Sequence, residues 1–127
     1  MLSDLAAIFF AILTAMVVMF QVALAFGAPW GEFTLGGKYP GQLPGFVRIV
    51  PVVSGALLTG FVVIVLAHAG LAFANIMATS RGLVWVVVIY CVVGTVANCF
   101  TPSRRERRLW FPIVVLMLGS STVVAMS

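Results

Sequence analysis

Long apolar runs separated by three short polar or turn-rich intervals make up this chain. The runs over 5–26, 51–79, 83–100 and 109–126 come close to or exceed the roughly 20 apolar residues that a transmembrane helix needs. The third run contains VWVVVIYCVV, whose β-branched residues favour sheets in water. A spanning sheet would need a closed alternation of apolar and polar positions, and these runs are apolar on all sides. The pattern predicts an all-α fold: a polytopic membrane protein, a four-transmembrane-helix bundle forming a single domain over 1–127, with an ordered Gly/Pro/aromatic loop at 27–50 and a basic loop at 101–108.

Details of the runs sharpen this outline. Ala23-Leu24-Ala25 resembles a signal cleavage site, but the preceding segment carries Asp4 and no Lys or Arg, so the first helix is expected to be retained. A helix over 51–79 would be about 43 Å long against an apolar core of about 30 Å. It would have to tilt, bend or protrude, with Gly55, Gly60 and Gly70 as bend or close-packing points. Ser103-Arg104-Arg105-Glu106 fits a capping box. Pro112 then kinks the following helix or restarts it; the favoured reading is a short basic interfacial turn leading into helix 4, with Trp110 at headgroup depth.

Composition agrees with the pattern. Of 127 residues, 63% are hydrophobic and 8% charged, where a soluble domain carries about 25% charged residues. The net charge of +4 arises largely from Arg104, Arg105, Arg107 and Arg108. A basic cluster beside a membrane segment sets topology or meets anionic headgroups, so nucleic acid is not an expected partner. Lys38, Arg48 and these four arginines stand against Arg81 alone. By the positive-inside rule the loops at 27–50 and 101–108 are cytoplasmic and both termini outside, in a multi-pass protein of the cell membrane.

Packing and polar positions follow the helical period. Ala7, Ala11 and Ala15 on helix 1, and Ala67, Gly70, Ala74 and Ala78 on helix 2, form small-residue rows suited to close helix packing. Polar groups inside the bilayer are expected to face the bundle interior. Gln21, His68 and Asn75 are the candidate intramembrane polar positions: Gln21 lies with Asn98 near the cytoplasmic ends of helices 1 and 3, whereas His68, Asn75 and Thr79 share a face of helix 2 toward the outer half, and Tyr90, Gly94 and Asn98 align at four-residue steps on helix 3.

Catalytic inventory is thin. The chain has one His, two Cys and three acids, with no CxxC or HxxxH spacing, so metal and thiol chemistry are not expected and no cofactor is assigned. Cys91 and Cys99 lie on one helix about 12 Å apart by rise and cannot pair. The residues read as non-enzymatic.

The segment GAPWGEFTLGGKYPGQLPGFVRIVP holds six of the twelve glycines and four of the six prolines, so it cannot be one regular helix. Loops of this length are functional or disordered, and Trp30, Phe33, Leu35, Tyr39, Leu43 and Phe46 need a surface to cover. An ordered cap on the cytoplasmic mouth is expected, with Glu32 either paired to an arginine or working beneath the cap. Trp30, Glu32, Lys38, Tyr39, Arg48, Asn98, Arg104 and Arg105 are the candidate ligand-binding residues, because arginine's planar fork suits phosphate or carboxylate.

GAPWGEFTLGGKYPGQLP, then Arg48, then NCFTPSRRERRLW, together resemble a group of small bacterial four-helix integral membrane proteins. The resemblance implies an architecture and no activity. Fluoride channels, small multidrug transporters and vitamin K epoxide reductase-type oxidoreductases fit poorly: their pore motifs, an acid deep in helix 1 and a CxxC, respectively, are missing. The expected function is binding, and in its extended form transport, of an anionic lipid headgroup or small amphiphile at the cytoplasmic mouth, with membrane lipids as partners. Two alternatives are an accessory or assembly subunit, with a homo-oligomeric or partner-subunit interface, and a membrane enzyme acting on a lipid-like substrate.

Overall fold

A computed structural model describes residues 2–127. Helices α1 (Leu2–Ala25), α2 (Ile49–His68), α3 (Met77–Cys99) and α4 (Arg104–Ala125) account for most of the chain, and short 3₁₀ turns at Gly31–Phe33, Leu35–Gly37 and Ala74–Ile76 punctuate the connections. All four helices are long and apolar enough to cross a membrane. They pack as a ring in which α1 lies beside α2 and α4, and α3 beside α2 and α4.

The interior is built from Phe10, Leu13, Leu58, Phe61, Val65, Val84, Val87, Met117 and Val124. Much of the apolar side-chain surface points outward instead: Met19 is 72% exposed, and Ile89 and Val93 are each 62% exposed. A soluble bundle confines its apolar residues to one stripe of each helix; here the outer faces are apolar too.

Helix boundaries differ from the expected ones in two places. The segment expected as one helix over 51–79 breaks after His68. Gly70 adopts φ +77°, its N–H donates to Ala67 O (3.1 Å), and Leu71 N–H donates to Leu66 O (3.0 Å). This is a Schellman stop, which needs a left-handed residue that glycine supplies at least cost. Apolar residues on both sides of Gly70 concealed it. The shortened α2 has 20 residues, about 30 Å of rise, and matches the bilayer core without added tilt.

Consequently Asn75 lies in a 3₁₀ turn and Thr79 in α3, so neither shares a face of α2 with His68. The row through Ala67, Gly70, Ala74 and Ala78 is likewise divided among three elements. Ser80-Arg81-Gly82, the short interval between the second and third apolar runs, lies in the first two turns of α3. Ser80 fits there because its hydroxyl donates to Met77 O at 2.6 Å, which satisfies a polar group that is fully buried.

At α4 the basic run is helix rather than loop. Arg104 is its first residue and the helix continues through Pro112 to Ala125, with no restart. Ser103 supplies the N-cap, its Oγ accepting from Glu106 N–H at 3.2 Å. The reciprocal arm of a capping box, from the Glu side chain back to the cap N–H, is replaced: Ser103 N–H donates to Thr101 Oγ1 at 3.4 Å. The Glu106 carboxylate is left to turn elsewhere.

Candidate functional site

Residues 27–48 cover the end of the bundle where α1 and α3 finish and α2 and α4 begin. Several independent contacts hold them there. Phe20 of α1 stacks on Trp30 (5.9 Å between centroids, 9° between planes) and meets Trp110 of α4 edge-on at 4.7 Å. Leu24, Leu43 and Val47 bury one another, with Phe20 and Tyr39 packed alongside. Trp110 Nε1–H donates to Phe33 O at 2.7 Å, and Ser103 Oγ–H donates to Glu32 O at 2.7 Å.

Backbone turns make the fit possible. Gly31 N–H donates to Gly41 O at 2.8 Å, and a Cβ on Gly31 would lie 1.8 Å from Tyr39 O. Only glycine allows these two segments of the cap to approach so closely. Gly36 and Gly37, at φ +68° and +75°, turn the chain over α4 and aim the Gly36 N–H at Glu106 Oε2, 3.1 Å away.

Beneath this cap lies a cavity of about 210 Å³. Val17, Leu58, Val114 and Met117 supply its apolar wall; Gln21, Ser54, Asn98 and Glu106 supply polar groups, and Phe33, Tyr90 and Trp110 are its aromatic members. Tyr90, Gly94 and Asn98, spaced by four on α3, all face it. Asn98 Nδ2 donates to Gly94 O at 2.7 Å, which fixes the amide orientation and leaves Oδ1 as an acceptor. Glu106 is 8% exposed. The only ion pair among the described residues joins Arg105 to Glu32, so Glu106 has no cation against it.

The structure separates the predicted site residues into groups. Asn98 and Gln21 line the cavity. Glu32 and Arg105 pair on the outer surface of the cap, Trp30 packs on Phe20, Lys38 lies over the Tyr39 ring at 5.5 Å, and Arg48 Nε–H donates to Leu43 O at 3.0 Å. Arg104 is exposed. None of these last seven lines the cavity. His68 faces a second cavity, of about 400 Å³, with Arg81 and Trp85. Its buried Nδ1 has no hydrogen-bond partner, as is also true of Thr14 Oγ1. Asn75 is exposed.

Sequence reasoning missed Glu106, Ser54 and Trp110 as cavity residues. Glu106 read as a capping residue, and the available signal was its place as the one acid inside an arginine run. A pair such as Arg105–Glu32, with side chains 67% and 36% exposed, contributes under about 1 kcal/mol. Arg105→Ala is therefore expected to shift the unfolding midpoint in detergent only slightly, with the difference vanishing as salt is raised; a larger, salt-independent loss would assign the pair a main part in closing the cap.

Comparison of the chain with protein-family models, with curated proteins and with solved structures gives no match.

Proposed function

We propose that the protein is a four-span integral membrane protein of the cell membrane that binds a small amphiphile in the cavity beneath its cap. One observation carries this reading: a cavity with an apolar wall of Val17, Leu58, Val114 and Met117 and a polar set of Gln21, Asn98 and Glu106 matches a molecule with an apolar body and a polar head. The outward apolar faces of all four helices support insertion in lipid. Six basic residues at the cap end against Arg81 at the other support a cytoplasmic cap with both termini outside. Transport extends the same reading, with displacement of the cap as the step that would admit or release the amphiphile.

The anionic-headgroup form of the proposal attaches to a different surface. Arg104, Arg105, Arg107 and Arg108 are exposed at the start of α4, where anionic lipid headgroups would meet them.

Filling the cavity tests the main reading. Native mass spectrometry of gently extracted wild-type protein is expected to show a bound small molecule. Val114→Phe, which adds volume to the cavity wall, should weaken binding roughly five- to thirtyfold, the effect of losing one to two kcal/mol of fit, and so lower the occupied fraction. Val93→Phe on the outer face should leave it unchanged. Equal occupancy in both variants, or a wild-type protein that carries nothing, would count against the proposal.

A further inference from the structure

We infer that the polar head of the bound molecule is a protonated amine, so that the ligand is a small cationic amphiphile; this rests on the cavity-binding reading above. Glu106 is the one acidic residue on the cavity wall, and no Lys, Arg or His lines it. Its neighbours in sequence are all basic, yet they are committed elsewhere or turned outward: Arg105 pairs with Glu32, Arg107 donates to Thr101 O at 3.3 Å, and Arg104 and Arg108 are exposed. A buried carboxylate without a cation is costly. A ligand ammonium would supply the missing partner.

The remaining acceptors have the right chemistry. One Glu106 oxygen receives the Gly36 N–H, and a carboxylate accepts several hydrogen bonds, so capacity is left for a ligand donor. Asn98 Oδ1 remains as an acceptor because its Nδ2 is held by Gly94 O. An ammonium offers three donors and no acceptor, which complements this pair.

Aromatic walls add to the preference. Phe33, Tyr90 and Trp110 all contribute to the cavity, and aromatic faces attract a cation, most strongly when it is desolvated. An anionic head would meet the charge of the largely buried Glu106 carboxylate, where repulsion is weakly screened. Glu106 also sits in the first turn of α4, where the helix dipole favours negative charge. The site thus presents a fixed carboxylate, not a basic cradle, to whatever enters beneath the cap.

Three probes of one chain length decide the head group. Wild-type protein in phosphatidylcholine nanodiscs would be titrated calorimetrically with hexylamine, hexan-1-ol and hexanoate, with empty nanodiscs as the reference. Hexylamine is expected to saturate at least about tenfold more tightly than hexan-1-ol, as one charge-assisted hydrogen bond implies, and hexanoate to bind most weakly. Glu106→Gln keeps an acceptor for Gly36 N–H; it should bring hexylamine down to the hexan-1-ol affinity while leaving hexan-1-ol binding and the unfolding midpoint close to wild type. Equal affinity of the amine and the alcohol for wild type would overturn the amine assignment and leave the cavity reading standing. Undiminished amine binding by a folded Glu106→Gln protein would overturn it as well. Failure of all three probes to saturate wild type would remove the cavity reading itself. The wild-type ranking decides the matter even where the variant does not fold.

Discussion

Trp110→Ala is expected to lower the stability of the protein by about 3 kcal/mol, the usual range for truncating a large packed aromatic. Two losses combine. The edge-on contact with Phe20 at 4.7 Å disappears, and Phe33 O loses the indole N–H that reaches it at 2.7 Å. Trp110→Phe separates them, because it retains a ring beside Phe20 and removes only the donor; its cost should be about 1 kcal/mol. Chemical unfolding in detergent, followed by far-ultraviolet circular dichroism, measures both. A Trp110→Ala protein as stable as wild type would mean that the indole serves only as an interfacial anchor and that the cap closes without it.

The second large effect is expected at Gly31. Gly31→Ala would drive a Cβ to 1.8 Å from Tyr39 O and 2.7 Å from Gly41 O. Both are backbone atoms, so no side-chain rotation relieves the overlap. The cap must open locally and give up the Gly31 N–H to Gly41 O bond, at a cost of about 3 kcal/mol. The bundle interior around Phe10, Phe61, Val65 and Val87 does not include this turn, so helix content should remain that of wild type. Local opening should appear as faster trypsin cleavage after the exposed Lys38. Gly45→Ala is the matched control, since a Cβ there meets nothing within 4 Å. Unchanged cleavage in Gly31→Ala would show that the cap is looser than its hydrogen bonds indicate.

Opposite consequences follow for the two acids of the cap region. Glu32, the residue that the loop sequence brings forward, faces outward against Arg105 and serves as a surface tether. Glu106, which the sequence presents as half of a capping box, lies beneath the cap with Gly36 on one oxygen. Chain pattern alone conveys that an acid three residues after Ser103 belongs to a helix start. It cannot convey that Thr101 Oγ1 takes over the Ser103 N–H and frees the Glu106 side chain for the cavity.

The same distinction holds for the fold. Four helices apolar enough to span a membrane were legible, because backbone groups in lipid must be satisfied within each segment and the runs have the necessary length. The end of α2 was not. Apolarity continues beyond His68 through Leu71 and Phe73, and only the positive φ of Gly70 with its pair of closing hydrogen bonds stops the helix. Gly70 itself is visible in the sequence, where it fits a bend or a close-packing point equally well. The start of α4 was obscured for the converse reason: four arginines look like a loop by hydropathy, yet arginine is a good helix former and Ser103 caps the turn they occupy.

Cavity residues were legible where one helix carried them at regular spacing, as with Tyr90, Gly94 and Asn98. They were hidden where the wall is assembled across elements. Ser54 and Trp110 come from α2 and α4, and nothing in the chain order says that they meet. The basic and aromatic residues at 30–48 drew attention because they stand out from an apolar background. In the folded chain Trp30 and Tyr39 serve chiefly to pack the cap, and Arg48 ties its own backbone at Leu43.

An amphiphile held beneath the cap with its cationic head at Glu106 can be located directly. The most direct measurement is anomalous diffraction from crystals of the wild-type protein grown with a hexylamine that carries bromine at its far end. A bromine peak is expected against the apolar wall formed by Val17, Leu58 and Met117, with amine density beside the Glu106 carboxylate. A cavity without a peak, in crystals that show bromine only on the outer apolar faces of the helices, would contradict that placement.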